Sequence, residues 1–480
     1  MPRKIALLAL LSACDPGDGR LAWLQTTLVL DNQVFLDTDP EQGQAKFARM
    51  SLSLYAYFRG TLGQFARDGT QSGGAGYDAT AYATADTADI ALVGDPHPEN
   101  IGSFRGSDGA LVVDYNDFDA ATYGPFHFDV RRLALGFHLA GVELGVAAPE
   151  ALAEAVADGY VAEVAALAAG DDGTVITTGG ENGAILDHLL RKAAEDGLAR
   201  EELSDYTRVV DGARAMFFGE IETPVPWSMA DHAMMLATDE VVPATDEEAR
   251  LVAQVLASWP ATLHDPAVMS PSAAALKGVS RRYGAGVASF PAPRFYALLE
   301  GPTDAPEDDL LLELKRVYDP AGLPGVVRLP SRPFADNGAR VVAQQRALQT
   351  TDACDPLLGY ASIGGASYRV RDRSKFQRGV DLAKVAEKFA EGDWNADDLT
   401  VLADRAGHLL ARAHARAPRQ TGAPGLPALA AALSADPAGF VAETRGFVTH
   451  YAAVIESDYE SFLDILAADG PSLGYTPASR

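Results

Sequence analysis

Apolar and polar positions change period several times along the chain, and each change marks a predicted element. From Gln42 to Arg67 apolar residues recur at helical spacing (Phe47, Met50, Leu54, Phe58, Leu62, Phe65), which predicts an amphipathic helix with a break near Gly60. Before it, residues 15–40 show no such stripe and read as loosely structured chain, within a lead-in segment that runs to residue 44. Residues 69–88 are rich in Gly, Thr and Ala and read as a loop. Ile90–Val93 and Ala110–Val113 read as short buried strands, Phe128–Leu144 and Glu150–Ala168 as helices, and residues 185–216 and 245–258 as further helices. Prolines between Pro260 and Pro271 suggest a linker.

Beyond the linker the texture changes. Arg294–Leu299 and Leu310–Val317 are strand-like runs joined by an acidic turn at Thr303–Asp308. A helix follows at Ala339–Leu348 and a strand at Ser367–Arg371. Helices return at Leu382–Ala390, at Ala396–Ala417 and from Ala435 onward. An α+β protein is therefore expected, with a β-rich block at 278–375 between helical blocks at 45–270 and 376–480. No internal repeat is visible.

Composition narrows the functional classes. The 480 residues carry 39 Lys+Arg against 66 Asp+Glu, a net charge of −27. That balance excludes a non-specific nucleic-acid binder, which needs a basic footprint, and it repels anionic lipid surfaces. Two cysteines, Cys14 and Cys354, are too few for a disulfide scaffold or a cysteine-rich metal site.

The first residues, Met1-Pro2-Arg3-Lys4, then an uncharged run from Ile5 to Leu11, then Ser12-Ala13-Cys14, have the layout of a secretory signal. Leu11-Ser12-Ala13-Cys14 resembles the bacterial lipoprotein signal, which implies lipidation at Cys14 and a lipid-anchored place in the cell envelope. Membrane contact is then expected through that lipid alone. A cytoplasmic protein with an unprocessed apolar N-terminus is the alternative.

The densest cluster of polar chemistry is Gly94-Asp95-Pro96-His97-Pro98-Glu99-Asn100, followed by Asp114-Tyr115-Asn116-Asp117-Phe118-Asp119 and Gly124-Pro125-Phe126-His127-Phe128-Asp129. An aspartate and an asparagine after one strand, with further carboxylates after the next, suit phosphoryl transfer: one carboxylate takes the proton of an attacking hydroxyl, and the others hold Mg²⁺ against phosphate. These segments resemble the kinase-like phosphotransferases of the aminoglycoside and choline kinase branch. The resemblance implies Asp95 as catalytic base with His97 beside it. It also implies Asn100 and Asp117 as metal ligands, with Asp114 and Asp119 as further candidates. Val93 stands where that branch has a histidine.

The remaining parts of such a site come later in the chain. Gly284 and Gly286, with Ser289, fit a turn over phosphates, Lys315 fits the strand lysine, and Gln344 and Gln345 follow on a helix. A circularly permuted, protein-kinase-like two-lobe fold accommodates this order, with the small lobe inserted late. The joint pattern resembles one bacterial family, the domain of unknown function numbered 2252. It is carried by Arg49-Met50, Phe58-Arg59-Gly60, Gly94 to Gly102, Asn116 to Asp119, Gly124 to Ala134, Lys315, Arg340 to Arg346 and Leu410 to Arg416.

The resemblance implies a monomeric phosphotransferase using ATP and Mg²⁺, with Arg59 as a further phosphate contact and an unknown small-molecule or protein acceptor. Two alternatives stand beside it. One is an inactive, membrane-tethered pseudokinase, suggested by Ala288-Ser289-Phe290-Pro291 in the glycine turn and by Gln344 and Gln345 in place of a glutamate. The other is a metal-dependent hydrolase built on Asp95, His97, Glu99, Asp114 and Asp117.

Overall fold

The structure is a computed structural model. It describes residues 16–69, 79–106, 108–220, 225–226, 236–237, 240–269, 275–303, 305–319, 334–350 and 355–476. Cys14 and Cys354 lie outside these residues. Four helices lead: α1 (Pro16–Thr38), α2 (Pro40–Met50), α3 (Leu54–Gly60) and α4 (Leu62–Asp68). The lead-in is therefore helical, not loose. Proline starts α2 where its missing N–H costs nothing. Trp23, Leu24, Leu28, Phe35 and Leu36 bury one side of α1. Ser53 caps α3 through the Ala56 amide, so the predicted long helix is three short ones.

Strands β1 (Ile90–Leu92), β2 (Ile101–Arg105), β3 (Leu111–Tyr115) and β4 (Thr122–Gly124) follow. β1 pairs antiparallel with β4, and β3 lies between β2 and β5 (Ile176–Thr177). Helices α5 (Phe126–Glu143) and α6 (Glu150–Ala168) form the centre of the helical block. Next come α7 (Ala184–Leu198) and α8 (Glu201–Tyr206). The stretch predicted as continuous helix to residue 216 ends instead in the hairpin of β6 (Thr207–Val210) and β7 (Ala213–Met216). Asp211 and Gly212, both at positive φ, make its two-residue turn.

The second block is a seven-stranded antiparallel sheet. It uses β8 (Gly219–Glu220), β11 (Glu240–Pro243), β12 (Leu276–Tyr283), β13 (Arg294–Leu299), β14 (Leu310–Val317), β15 (Gly359–Ile363) and β16 (Ala366–Asp372), in the order 15-16-14-13-12-11-8. β9 (Val225–Pro226) and β10 (Leu236–Ala237) form a separate pair. Two helices accompany the sheet, α9 (Asp246–Ser258) and α10 (Asn337–Leu348).

Strand alternation sorts its faces. Phe295, Ala297, Leu312, Leu314, Tyr368 and Val370 pack with Val252, Val255 and Trp259. So α9 packs into this sheet's core, and the described part of the predicted linker does so too, through Leu263 and Met269. The chain then returns to the helical block with α11 (Leu382–Glu391), α12 (Ala396–Arg416), α13 (Leu426–Leu433) and α14 (Pro437–Asp469). α12 packs on α6 and α5, and α14 packs on α5, α6 and α1. Small residues allow the closest approach: a Cβ on Gly407 would come within 2.1 Å of the Val156 carbonyl oxygen. No helix among the described residues is long and apolar enough to cross a membrane.

Candidate functional site

The loop after β1 is held from below by one buried carboxylate. Asp129, in the first turn of α5, accepts from the Val93 amide at 2.7 Å and the Gly94 amide at 3.1 Å. His414 of α12 lies 3.1 Å from the same carboxylate and 2.9 Å from the Tyr160 hydroxyl. The loop therefore needs no histidine at position 93. Gly94 sits at φ +89°, and a Cβ there would lie 2.1 Å from the Ala120 oxygen, so only glycine fits.

Asn100 joins this loop to the next. Its amide nitrogen donates to the Asp95 and Asp117 carbonyls at 3.2 and 2.9 Å. Its side-chain oxygen accepts from the Asn116 and Asp117 amides at 3.1 and 2.6 Å. The oxygen expected on a metal is thus occupied by two backbone N–H groups. Asn100 acts as a strut between the loops, a correction to its expected role. Asp95 accepts from Nε of the buried Arg132 at 2.8 Å.

Beyond β3 the carboxylates divide. Asp114 is buried within the strand, where it accepts from the Tyr115 and Thr350 amides. Burial raises its pKa against the pull of Arg416 and those two amides. It faces away from the loop of Asp95, so it leaves the set of metal candidates. Asp117 and Asp119 face the sheet block. Nζ of Lys315 lies 3.6 Å from Asp117 and makes a closer ion pair with Asp119, and Nη1 of Arg369 lies 3.8 and 3.5 Å from the two. Burial pushes the Asp117 carboxyl up, but Lys315 and Arg369 outweigh it and hold it below the usual carboxylate range.

Lys315 and Arg369 are directly opposite across β14 and β16. The next pair on that face is Glu313 with Arg371, 2.9 Å apart. Glu313 also meets Arg369 at 3.2 Å and Arg294 at 3.5 Å, and these arginines keep it ionised despite burial. The cationic face of the sheet thus backs the acidic loop.

Asp95, His97, Asp117 and Asp119 line one cavity of about 120 Å³, with Ser289 on its sheet side. Gly284 and Gly286 lie outside the wall, at φ +76° and +83° in the turn between β12 and β13. Lys315 sits behind the two carboxylates rather than on the wall. Arg59 pairs with Glu99 and also lies outside the wall, which corrects its reading as a phosphate contact. His97 is buried, its Nδ1 has no hydrogen-bond partner, and burial with Arg59 and Arg132 nearby keeps its pKa well below the usual value. The imidazole is neutral at physiological pH.

A family model described as an uncharacterized protein conserved in bacteria, DUF2252, matches residues 38–465. The chain belongs to the DUF2252 family. No curated protein and no solved structure matches it.

The far wall of the cavity in this DUF2252 protein was not expected. It comes from the leading helices: Asp31 and Phe35 of α1, Lys46 of α2 and Leu62 of α4. Lys46 falls on the buried stripe of α2 beside Phe47 and Met50, and a lysine on an apolar stripe is the signal that could have marked it. Burial lowers its pKa to about 8 against the opposing pull of Asp31 and Asp95. The hydrolase cluster is not assembled, because Glu99 turns to Arg59 and Asp114 is buried elsewhere. Among the described residues no group of three or more His, Cys, Asp or Glu is placed to hold a metal.

Proposed function

We propose that this DUF2252 protein is a phosphotransferase of permuted kinase-like architecture that uses ATP and Mg²⁺. The observation that carries the reading is the single cavity in which Asp95 and His97 face Asp117 and Asp119 across two loops tied by Asn100. The sheet block adds support. A glycine turn joins β12 and β13, a lysine stands on β14, the third strand of that meander, a helix follows, and two strands close the sheet. Phosphate-gripping lobes use this order of parts.

The donor set fits a hard divalent cation. Asp117 and Asp119 offer carboxylate oxygens, and Oδ1 of Asp119 is buried without a hydrogen-bond partner. Asp117 and Asp119 would hold Mg²⁺, and the bound ion would neutralise charge on the transferring phosphate. Asp95 would take the proton of the acceptor hydroxyl, with its carboxylate fixed by the Arg132 N–H. Lys315, in place behind the acidic pair, would balance its charge. Gln344 bonds the Thr122 carbonyl, and Arg340 bonds the carbonyls of Asp119 and Ala121, so α10 grips this loop instead of the lysine.

One observation favours a second reading, a nucleotide-binding module without turnover: the Asn100 oxygen is already committed to backbone amides. Thermal-shift titration of the full chain with ATP, with and without Mg²⁺, separates the readings when paired with phosphate release. A metal-dependent rise that Asp117→Asn abolishes is expected. Asp95→Asn should keep that rise and lose turnover by about 10²–10⁴-fold. A rise without turnover in the native chain would favour the second reading. No rise with Mg²⁺ and ATP would refute both.

A further inference from the structure

The acceptor end of the cavity carries three buried polar groups, two without a hydrogen bond and one, the Lys46 ammonium, with a single hydrogen bond to Asn32. Oδ2 of Asp31 is buried and has no hydrogen-bond partner, while Oδ1 is held by Arg67 at 3.1 Å from Nε. The Asp31 side chain is 10 % exposed. Lys46 is 5 % exposed and donates to Asn32 Oδ1 at 2.6 Å. An ammonium has three donors, so two of its N–H groups are left over. The third group is Nδ1 of His97, buried and without a hydrogen bond. All three residues line the cavity that holds Asp95.

Leaving such groups buried and unpaired is costly, more so where charge is involved. A ligand that supplies the missing partners recovers that energy. Lys46 calls for an anionic oxygen, and Asp31 calls for a donor, best a cationic one. Asp95, held by Arg132, meets a hydroxyl. Phe35 and Leu62 contribute apolar surface to the same wall. The cavity of about 120 Å³ is shared with Asp117 and Asp119, so its acceptor end suits a compact molecule.

We propose that this end of the cavity binds a small zwitterion with a hydroxyl group, of the hydroxy amino acid class. Its carboxylate meets Lys46, its ammonium meets Asp31, and its hydroxyl meets Asp95. This deepens the phosphotransferase reading, in which that hydroxyl is the acceptor, but the binding itself needs no nucleotide. Asp31 and Phe35 lie on α1, ahead of the family match that begins at residue 38. The selectivity is therefore set in part by a segment outside the match.

The test is a thermal-shift and calorimetric titration of the full chain, without nucleotide, against L-serine, L-homoserine, glycerol, choline and glucosamine. Saturable binding of a hydroxy amino acid, at least tenfold tighter than the neutral or purely cationic probes, is expected. Lys46→Met should weaken it tenfold or more, and Asp31→Asn should weaken amino acids more than it weakens glycerol. The unliganded midpoint and the circular dichroism of each variant report whether it folds. Tighter binding of choline or glucosamine than of either amino acid would overturn the proposal, as would no binding of the amino acids by the native chain. Amino acid binding with no response to Mg²⁺ and ATP would keep this site and sink the phosphotransferase reading, so the two fail separately.

Discussion

Lys46 shows how a single residue reports on the site. A lysine pushed by burial from 10.5 to about 8 is a liability to the fold. Between pH 8 and the unfolded value the unfolded chain binds a proton that the folded chain does not, so stability rises with pH across that window. Lys46→Met should therefore stabilise the protein at pH 7 by less than about 3 kcal/mol, because the buried Asn32 Oδ1 loses its donor. Its advantage should shrink as pH climbs from 8 toward 10. Thermal midpoints of both proteins across pH 6 to 10 check this, and a constant gap would contradict it. Asn100 makes the opposite case. Its replacement by alanine leaves the Asp117 amide without its side-chain acceptor, while the Asn116 amide keeps the Asn100 carbonyl at 3.0 Å, so the loss should cost about 1–3 kcal/mol in urea unfolding. The sequence pattern pointed to Asp95, His97, Asn100, Asp117 and Asp119 together, and the structure does bring them to one cavity. What it could not show was what each side chain touches. Asp114 and Asp117 look alike in sequence, yet one is consumed by the Thr350 amide inside a strand and the other faces the cavity.

At the scale of elements, legibility followed the clarity of the hydrophobic period. Arg294–Leu299 and Leu310–Val317 were readable to the residue, because apolar residues dominate both strands and an acidic turn separates them. Glu150–Ala168 was equally clear as a helix. α1 was missed because buried Thr27 and Asn32 interrupt its apolar side, and both satisfy themselves on carbonyls of the preceding turn. β2 was missed because Gly102 sits in it. A Cβ there would lie 2.6 Å from the Arg378 oxygen, a contact far away in sequence. The consequence of the hidden helix is testable. Phe35 of α1 packs edge-on against Tyr318 at the end of β14, with ring centroids 5.1 Å apart, and so bridges the helical block to the sheet. Phe35→Ala should cost about 3 kcal/mol, the low end for such truncations because the ring already borders a cavity. A lower urea midpoint at unchanged slope is the expected result.

For the whole molecule, the sheet block is spliced into the middle of a helical block whose two parts come from opposite ends of the chain. What closes that block is partly ionic. Arg20 of α1 donates to Asp68 of α4 at 2.8 Å and to Asp458 of α14 at 3.0 Å, and the Tyr451 hydroxyl donates to Asp68 at 2.7 Å. Both carboxylates are buried, whereas Arg20 keeps 30 % of its side chain exposed. Removing the cation strands two buried negative charges in a protein that already carries a net −27, so Arg20→Met should destabilise by about 3 kcal/mol at neutral pH. The pH dependence follows from Asp458, whose pKa burial already raises against the pull of Arg20. Without Arg20 that rise grows. A carboxyl whose folded pKa exceeds its unfolded value favours the fold while protonated and loses that contribution as pH rises through the folded pKa. The deficit of Arg20→Met should therefore be largest near pH 7 and narrow as pH falls toward 4. Thermal midpoints of the two proteins over that range decide it. A deficit that stays level or widens toward pH 4 would show that α1 is held to α14 by its apolar side alone.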